Sequence, residues 1–228
     1  MRWRRFLLLA ILLMALGNGC FTPSVSMYQL PKIMTRIMAL GDSITDGYDH
    51  PGGYRPFLWR SLQDKGCTVE FVGSQENGVS PSHKHEGHSG WRIADIHDRI
   101  KAWLTANPAD IILLLIGTND MFQVQDLPQA PQRLNALLNT IYQQLPTVKI
   151  FLGTLPPIDE PTLHQRVISF NQKLPSIVQS QRDKGRHIIL VDIYQVLSVK
   201  DLEDGVHPTL RGHAKIAQAW AQALCSQP

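Results

Sequence analysis

The stretch Asp110-Ile-Ile-Leu-Leu-Leu-Ile-Gly-Thr-Asn-Asp120 passes from an unbroken apolar run directly into a glycine and three polar residues. A strand with one face in water alternates apolar and polar side chains. An unbroken run at Ile111–Ile116 therefore describes a central strand covered on both faces. Shorter apolar runs at Arg36–Leu40, Thr68–Gly73, Lys149–Leu155 and His187–Ile193 read as its neighbours, and Asp110–Ile116 completes the set. Helical spacing fills the intervals. Ile93, Ile96, Ile100 and Trp103 form one stripe, Leu134, Leu137, Leu138 and Ile141 a second, and Leu210, Ala214, Ala217, Ala221 and Leu224 a third. Pro175 lies inside the helical segment 162–184 and should kink or split it. Strands alternating with helices predict one α/β domain, a three-layer α/β/α sandwich around a five-stranded parallel sheet.

In such sheets ligands bind beyond the carboxyl ends of the strands, and polar clusters stand there. Gly41-Asp42-Ser43 follows the first strand and Gly117-Thr118-Asn119-Asp120 the third. Asp204-Gly205-Val206-His207 precedes the final helix. A fourth cluster, His88-Ser89-Gly90-Trp91, opens the Ile93 helix. Taken singly, Ser43 suits an N-cap, Asn119 and Asp120 a turn, and His207 a surface position. Together they supply the parts of an acyl-transfer site: a hydroxyl nucleophile, a base for its proton and a carboxylate to orient the base. Asp204 and His207, with two residues between them, can meet within one turn. No Gly-x-Ser-x-Gly surrounds Ser43, so the nucleophile elbow of α/β-hydrolases does not apply. His83, His85 and His88 are spread along a loop without a helical zinc motif. They are expected to line a substrate cleft rather than hold a metal, and Trp91 either stacks on a sugar or is buried.

Composition narrows the partners. With 43% hydrophobic and 18% charged residues the 228-residue chain is globular and long enough for one well-buried domain. Its net charge of +3 comes from Arg2, Arg4 and Arg5, since the other 19 Lys and Arg balance 19 Asp and Glu. That even balance offers nothing to nucleic acid. The basic start, an apolar run from Phe6 to Leu16 and the small residues Gly17 and Gly19 describe an export signal over residues 1–20. The run falls short of the roughly 20 apolar residues of a membrane span. Gly19-Cys20 resembles a bacterial lipoprotein signal, which would tether the chain to a membrane through a lipidated Cys20; simple cleavage near Gly19 is the alternative. Residues 21–34 read as a tether, and 35–228 as the catalytic domain. Cys67 and Cys225 either pair in an oxidising compartment or remain as buried thiols.

The blocks Gly41-Asp42-Ser43, Gly90 in Ser-Gly-Trp, Gly117-Thr-Asn-Asp120 and Asp204-Gly-Val-His207 resemble, in order, the signatures of the SGNH (GDSL-like) hydrolases. Gly52-Gly-Tyr-Arg55, Val69-Glu-Phe-Val-Gly-Ser74 and His85-Glu-Gly-His-Ser-Gly-Trp91 look like carbohydrate esterase family three, the acetylxylan-esterase-like branch. The resemblance implies a flavodoxin-like SGNH fold. It also implies an exported deacetylase acting, as a monomer without cofactor or metal, on an O-acetylated carbohydrate. Carried over by residue, Ser43 is the nucleophile, His207 the general base and Asp204 its orienter. The backbone N–H groups of Ser43 and Gly90 and the side-chain amide of Asn119 form the oxyanion hole. Asp42 and Asp120 tie loops together. The rival activity is a lipid esterase, lysophospholipase or thioesterase of the same fold, which needs an apolar groove beside Ser43. The rival of another class is a non-catalytic glycan-binding envelope protein, which has no need of Ser43, Asp204 and His207 together.

Overall fold

The computed structural model describes residues 34–123 and 127–226; the expected export signal, Cys20 and all but the last residue of the tether lie outside them. The strands are β1 (Thr35–Gly41), β2 (Val69–Val72), β3 (Gln75–Glu76), β4 (Lys84–Gly87), β5 (Ile111–Leu115), β6 (Lys149–Gly153) and β7 (Ile188–Val191). The helices are α1 (Ser43–Asp46), α2 (Arg55–Asp64), α3 (Ile93–Ala106), α4 (Ala130–Gln144), α5 (Pro161–Asn171), α6 (Leu174–Arg182), α7 (Ile193–Val196) and α8 (Leu210–Cys225). The five strands foreseen in the sequence lie parallel in the order β2-β1-β5-β6-β7. The order reverses at β1: the chain passes to β2 on one side of it and later returns to β5 on the other. A crevice opens at such a point, and Ser43 lies immediately beyond it.

Side-chain alternation along the strands builds two cores. Met38, Leu40, Ile112, Leu114, Ile150 and Leu152 pack against α3, α4, α5 and α6. Ile37, Ala39, Leu113, Leu115 and Phe151 face the other way, onto α2 and α8 with the fully buried Trp220. Each buried aliphatic side chain contributes about 1.5–3 kcal/mol, so the sheet is held from both sides. Hence the unbroken apolar run at β5.

Two short strands, β3 and β4, extend the sheet beyond the expected five. β2 pairs with the first half of β1, and β4 takes over the same edge at its end, where Leu40 faces Glu86 and Gly41 faces Gly87. β3 pairs antiparallel with β4. No apolar pattern announces β4, because Lys84-His-Glu-Gly is polar and polar partners satisfy its burial. Glu86 accepts hydrogen bonds from the Ser74 N–H (2.6 Å) and the Ser74 hydroxyl (3.1 Å). Gly73 admits the strand: a Cβ there would stand 2.1 Å from the His85 carbonyl oxygen.

Other expectations are refined. The segment at Pro175 is split, with α5 ending at Asn171 and Pro175 in the first turn of α6, where its missing N–H costs nothing. In α8, Ala217 and Ala221 of the expected stripe are buried and Leu224 packs against the core, but Leu210 does not. Leu210 is 55% exposed, while Gly212, His213, Ile216, Ala217, Trp220 and Ala221 face inward. The bulk of Ile216 and Trp220 sets the rotation. In α3, Leu104 rather than Trp103 completes the buried stripe. Cys67 and Cys225 are free thiols, the first half-buried and the second exposed.

Candidate active site

β1 ends at Gly41, where a Cβ would lie 2.1 Å from the Leu115 carbonyl oxygen, so only glycine lets the chain turn this close to β5. Asp42 then caps the single turn of α1, its Oδ1 accepting the Ile44 N–H at 3.1 Å. Ser43 is the first residue of that turn. Its Oγ lies 2.9 Å from His207 Nε2, and His207 Nδ1 lies 2.6 Å from Asp204 Oδ2. With Nδ1–H donating to the carboxylate, Nε2 is left as an acceptor and the Ser43 hydroxyl donates to it. Asp204 Oδ1 meanwhile accepts the N–H groups of Val206 (3.0 Å) and His207 (2.8 Å). Partial burial works against its charge. The His207 N–H and imidazole and the Val206 N–H outweigh that and hold the carboxyl down at about 2. Asp204 is therefore an anion at neutral pH, aimed at the imidazole.

Gly90 and Asn119 converge on this rim from two other segments. Gly90 has φ +80°, and a Cβ there would meet nothing within 4 Å, so its backbone borders open space. Asn119 opens a short 3₁₀ turn after β5, and its Nδ2 donates to the Trp91 carbonyl at 2.8 Å. An amide carries two N–H donors, so one remains for a ligand while the other locks the side chain to the residue after Gly90. Asp120 ties this turn down from below: its Oδ2 accepts the Ile93 N–H at 3.0 Å and its Oδ1 the Arg133 guanidinium at 3.0 Å. Burial raises its pKa, and those two partners oppose the rise. Asp42 is wholly buried, which pushes its carboxyl up to about 6.

Several groups hold the site in ways that the sequence does not specify. Asp46, at the end of α1, accepts from the Ser89 hydroxyl at 2.7 Å, linking the Ser43 turn to the residue before Gly90. Asn77 donates to the same carboxylate and to the Asp46 carbonyl. Arg55, fully buried, donates to the carbonyls of Thr45, Ser82 and Asn77. Its burial pulls the guanidinium down to about 10, still fully charged at neutral pH. The Gly52-Gly-Tyr-Arg55 block marks this residue in the sequence, and the structure adds its burial and carbonyl partners. Tyr48 stacks on His207, a contact that no spacing rule anticipates.

Two of the three loop histidines, His85 and His88, differ from expectation. His85 is 1% exposed and its Nδ1 accepts the Gly87 N–H at 3.0 Å, so it belongs to the loop's interior. Burial holds it neutral, with its pKa pushed down to about 3. His88 is sandwiched between Trp91 and Trp103, each ring centroid 4.4 Å away, with Nε2 2.9 Å from Glu86. Neither lines an open cleft. Apolar stacking and a buried carboxylate supply what the cleft was expected to supply. Trp91 is itself partly buried against the core.

A largely parallel sheet carrying a hydrogen-bonded line of Ser, His and Asp at one rim is the arrangement of a serine ester hydrolase. Residues 39–215 match the GDSL-like Lipase/Acylhydrolase family, and the chain belongs to it. It is 32% identical to a multidomain esterase of Ruminococcus flavefaciens over 223 residues, 83% of this chain and 28% of that protein's length. Among solved structures it resembles a family 3 carbohydrate esterase of Clostridium thermocellum, with 32% identity and a TM-score of 0.74 over 84% of this chain and 99% of the other. It also resembles an acetyl esterase solved with an acetate ion, with 26% identity and a TM-score of 0.74 over 84% and 97% of the two chains.

Proposed function

We propose that this protein removes O-acetyl groups from a carbohydrate, such as acetylated xylan, through an acyl-enzyme on Ser43. The hydrogen-bonded line from Ser43 through His207 to Asp204 carries this reading. As Ser43 Oγ attacks the acetyl carbonyl carbon, its proton passes to His207 Nε2. The carbonyl oxygen gains the negative charge, facing the N–H groups of Ser43 and Gly90 and the free N–H of Asn119. Collapse breaks the bond to the sugar oxygen, which takes the proton from His207 and leaves as a hydroxyl. Water then attacks the acetyl-serine with His207 as base again, and acetate departs. Asp204 keeps Nδ1 protonated and stabilises the imidazolium while it exists. Export is part of the proposal. Arg2, Arg4, Arg5 and the apolar run that follows support it, with Cys20 as the point of attachment where the leader is lipidated.

The test is hydrolysis of acetylated xylan, p-nitrophenyl acetate and p-nitrophenyl palmitate by the wild type and Ser43→Ala. Acetate release from xylan that falls by several orders of magnitude in the folded variant is expected, with little palmitate turnover. Palmitate turnover without xylan deacetylation would assign the protein to lipid esters instead. Unchanged turnover in Ser43→Ala would remove Ser43 from the mechanism.

A further inference from the structure

Tyr48 lies five residues beyond Ser43 in a conformation that its own side chain disfavours. Its φ is +48°, directly after Gly47 at φ +110°. The left-handed region suits Gly or Asn, whereas a bulky residue there is an outlier. The turn alone would be served better by a smaller residue. Such outliers persist where surrounding structure holds them, and they gather at functional sites. Here the strained backbone returns the Tyr48 ring over the imidazole of His207, with ring centroids 3.8 Å apart and planes 8° from parallel. The ring is still 50% exposed, so burial does not explain its placement. Its hydroxyl bonds to no described residue.

The two hydrogen bonds to His207 hold the imidazole at one nitrogen each. They fix the line from Nδ1 to Nε2 and leave the ring free to tilt about it. Asp204, the anchor at one end, has its side chain 45% exposed, so water competes for the carboxylate. A flat ring stacked on one face removes the remaining freedom. The same π face suits the imidazolium that exists only while His207 holds the Ser43 proton. We propose that Tyr48 is a positioning residue for His207, acting through its ring face and not through its hydroxyl. The proposal rests on His207 being the general base.

The experiment compares p-nitrophenyl acetate hydrolysis by the wild type, Tyr48→Phe, Tyr48→Gly and His207→Ala, with the His207 Hε1 resonance followed by NMR. Glycine fits the left-handed backbone, so removing the ring relieves strain and should leave the fold intact. Tyr48→Asn repeats the test with another side chain suited to that region. Tyr48→Gly should lower kcat about ten- to a hundredfold, as displaced catalytic groups do, with KM unchanged. It should also abolish the ring-current shift at His207 Hε1. Tyr48→Phe should keep both the wild-type kcat and the shift. Wild-type kcat in Tyr48→Gly, or an equal loss in Tyr48→Phe, would overturn the proposal, as would a change confined to KM. Near-normal turnover in His207→Ala would instead refute the reading of His207 itself, whatever the Tyr48 variants do.

Discussion

Asp42 precedes the nucleophile and is fully buried. One carboxylate oxygen caps α1 through the Ile44 N–H, and the other has no hydrogen-bond partner among the described residues. Burial raises its pKa from 3.8 to about 6, against the opposing pull of the Ile44 N–H, the nearby Thr118 hydroxyl and His207. A carboxyl whose folded pKa exceeds its unfolded value binds its proton more tightly in the folded state. Its contribution is therefore fully present below pH 3.8 and is lost as pH rises through about 6. At about 1.4 kcal/mol per pKa unit, ionised Asp42 costs the folded protein about 3 kcal/mol at pH 7 and above. Asp42→Asn keeps a cap oxygen for Ile44 and removes the charge. Urea unfolding of both proteins from pH 4 to pH 8 should show the variant gaining on the wild type, by about 2 kcal/mol more at pH 8 than at pH 4. The comparison cancels a larger trend of opposite sign. Burial pushes His85 and His213 down to about 3. Unfolded histidines take up protons from pH 6.5 downward, so both proteins lose stability together in acid. A stability difference that stays flat within about 0.5 kcal/mol across the range would show that Asp42 is not held against ionisation.

Two kinetic outcomes test the donor geometry. Asn119→Ala should lower kcat on p-nitrophenyl acetate by about 10²–10³ while changing KM little, because its free N–H meets charge only in the transition state; a change confined to KM would make Asn119 a binding residue. Ser89→Ala removes the 2.7 Å link from Asp46 to the Gly90 loop. It should lower kcat about tenfold through a displaced donor, with unchanged melting temperature; wild-type kcat would mean that His88 and Trp91 hold the loop unaided.

The sheet and the rim were readable because their signals are local. An unbroken apolar run marks β5, and strand ends in a parallel sheet all lie on one edge, so Gly41-Asp-Ser43, Asn119 and Asp204-Gly-Val-His207 could be placed there before any contact was known. β4 was not readable, since its buried Glu86 is satisfied by Ser74 and His88 rather than by apolar side chains. The face of α8 was legible at Ala217 and Ala221 but not at its start, because a run rich in alanine has apolar residues on more than one side and the volumes of Ile216 and Trp220 choose between them.

By itself, then, the sequence determined the parallel sandwich, the rim and the residue types that meet there, because strand pattern and turn chemistry act over a few neighbouring residues. The tertiary structure alone decided how those residues are held. The stack of Tyr48 on His207, the Asp46–Ser89 link, the bonds from Arg55 to the Asn77 and Ser82 carbonyls and the stack of Trp103 on His88 join separate segments of the chain. Such contacts depend on distances and plane angles that appear only once both cores have packed, and no spacing along the chain encodes them.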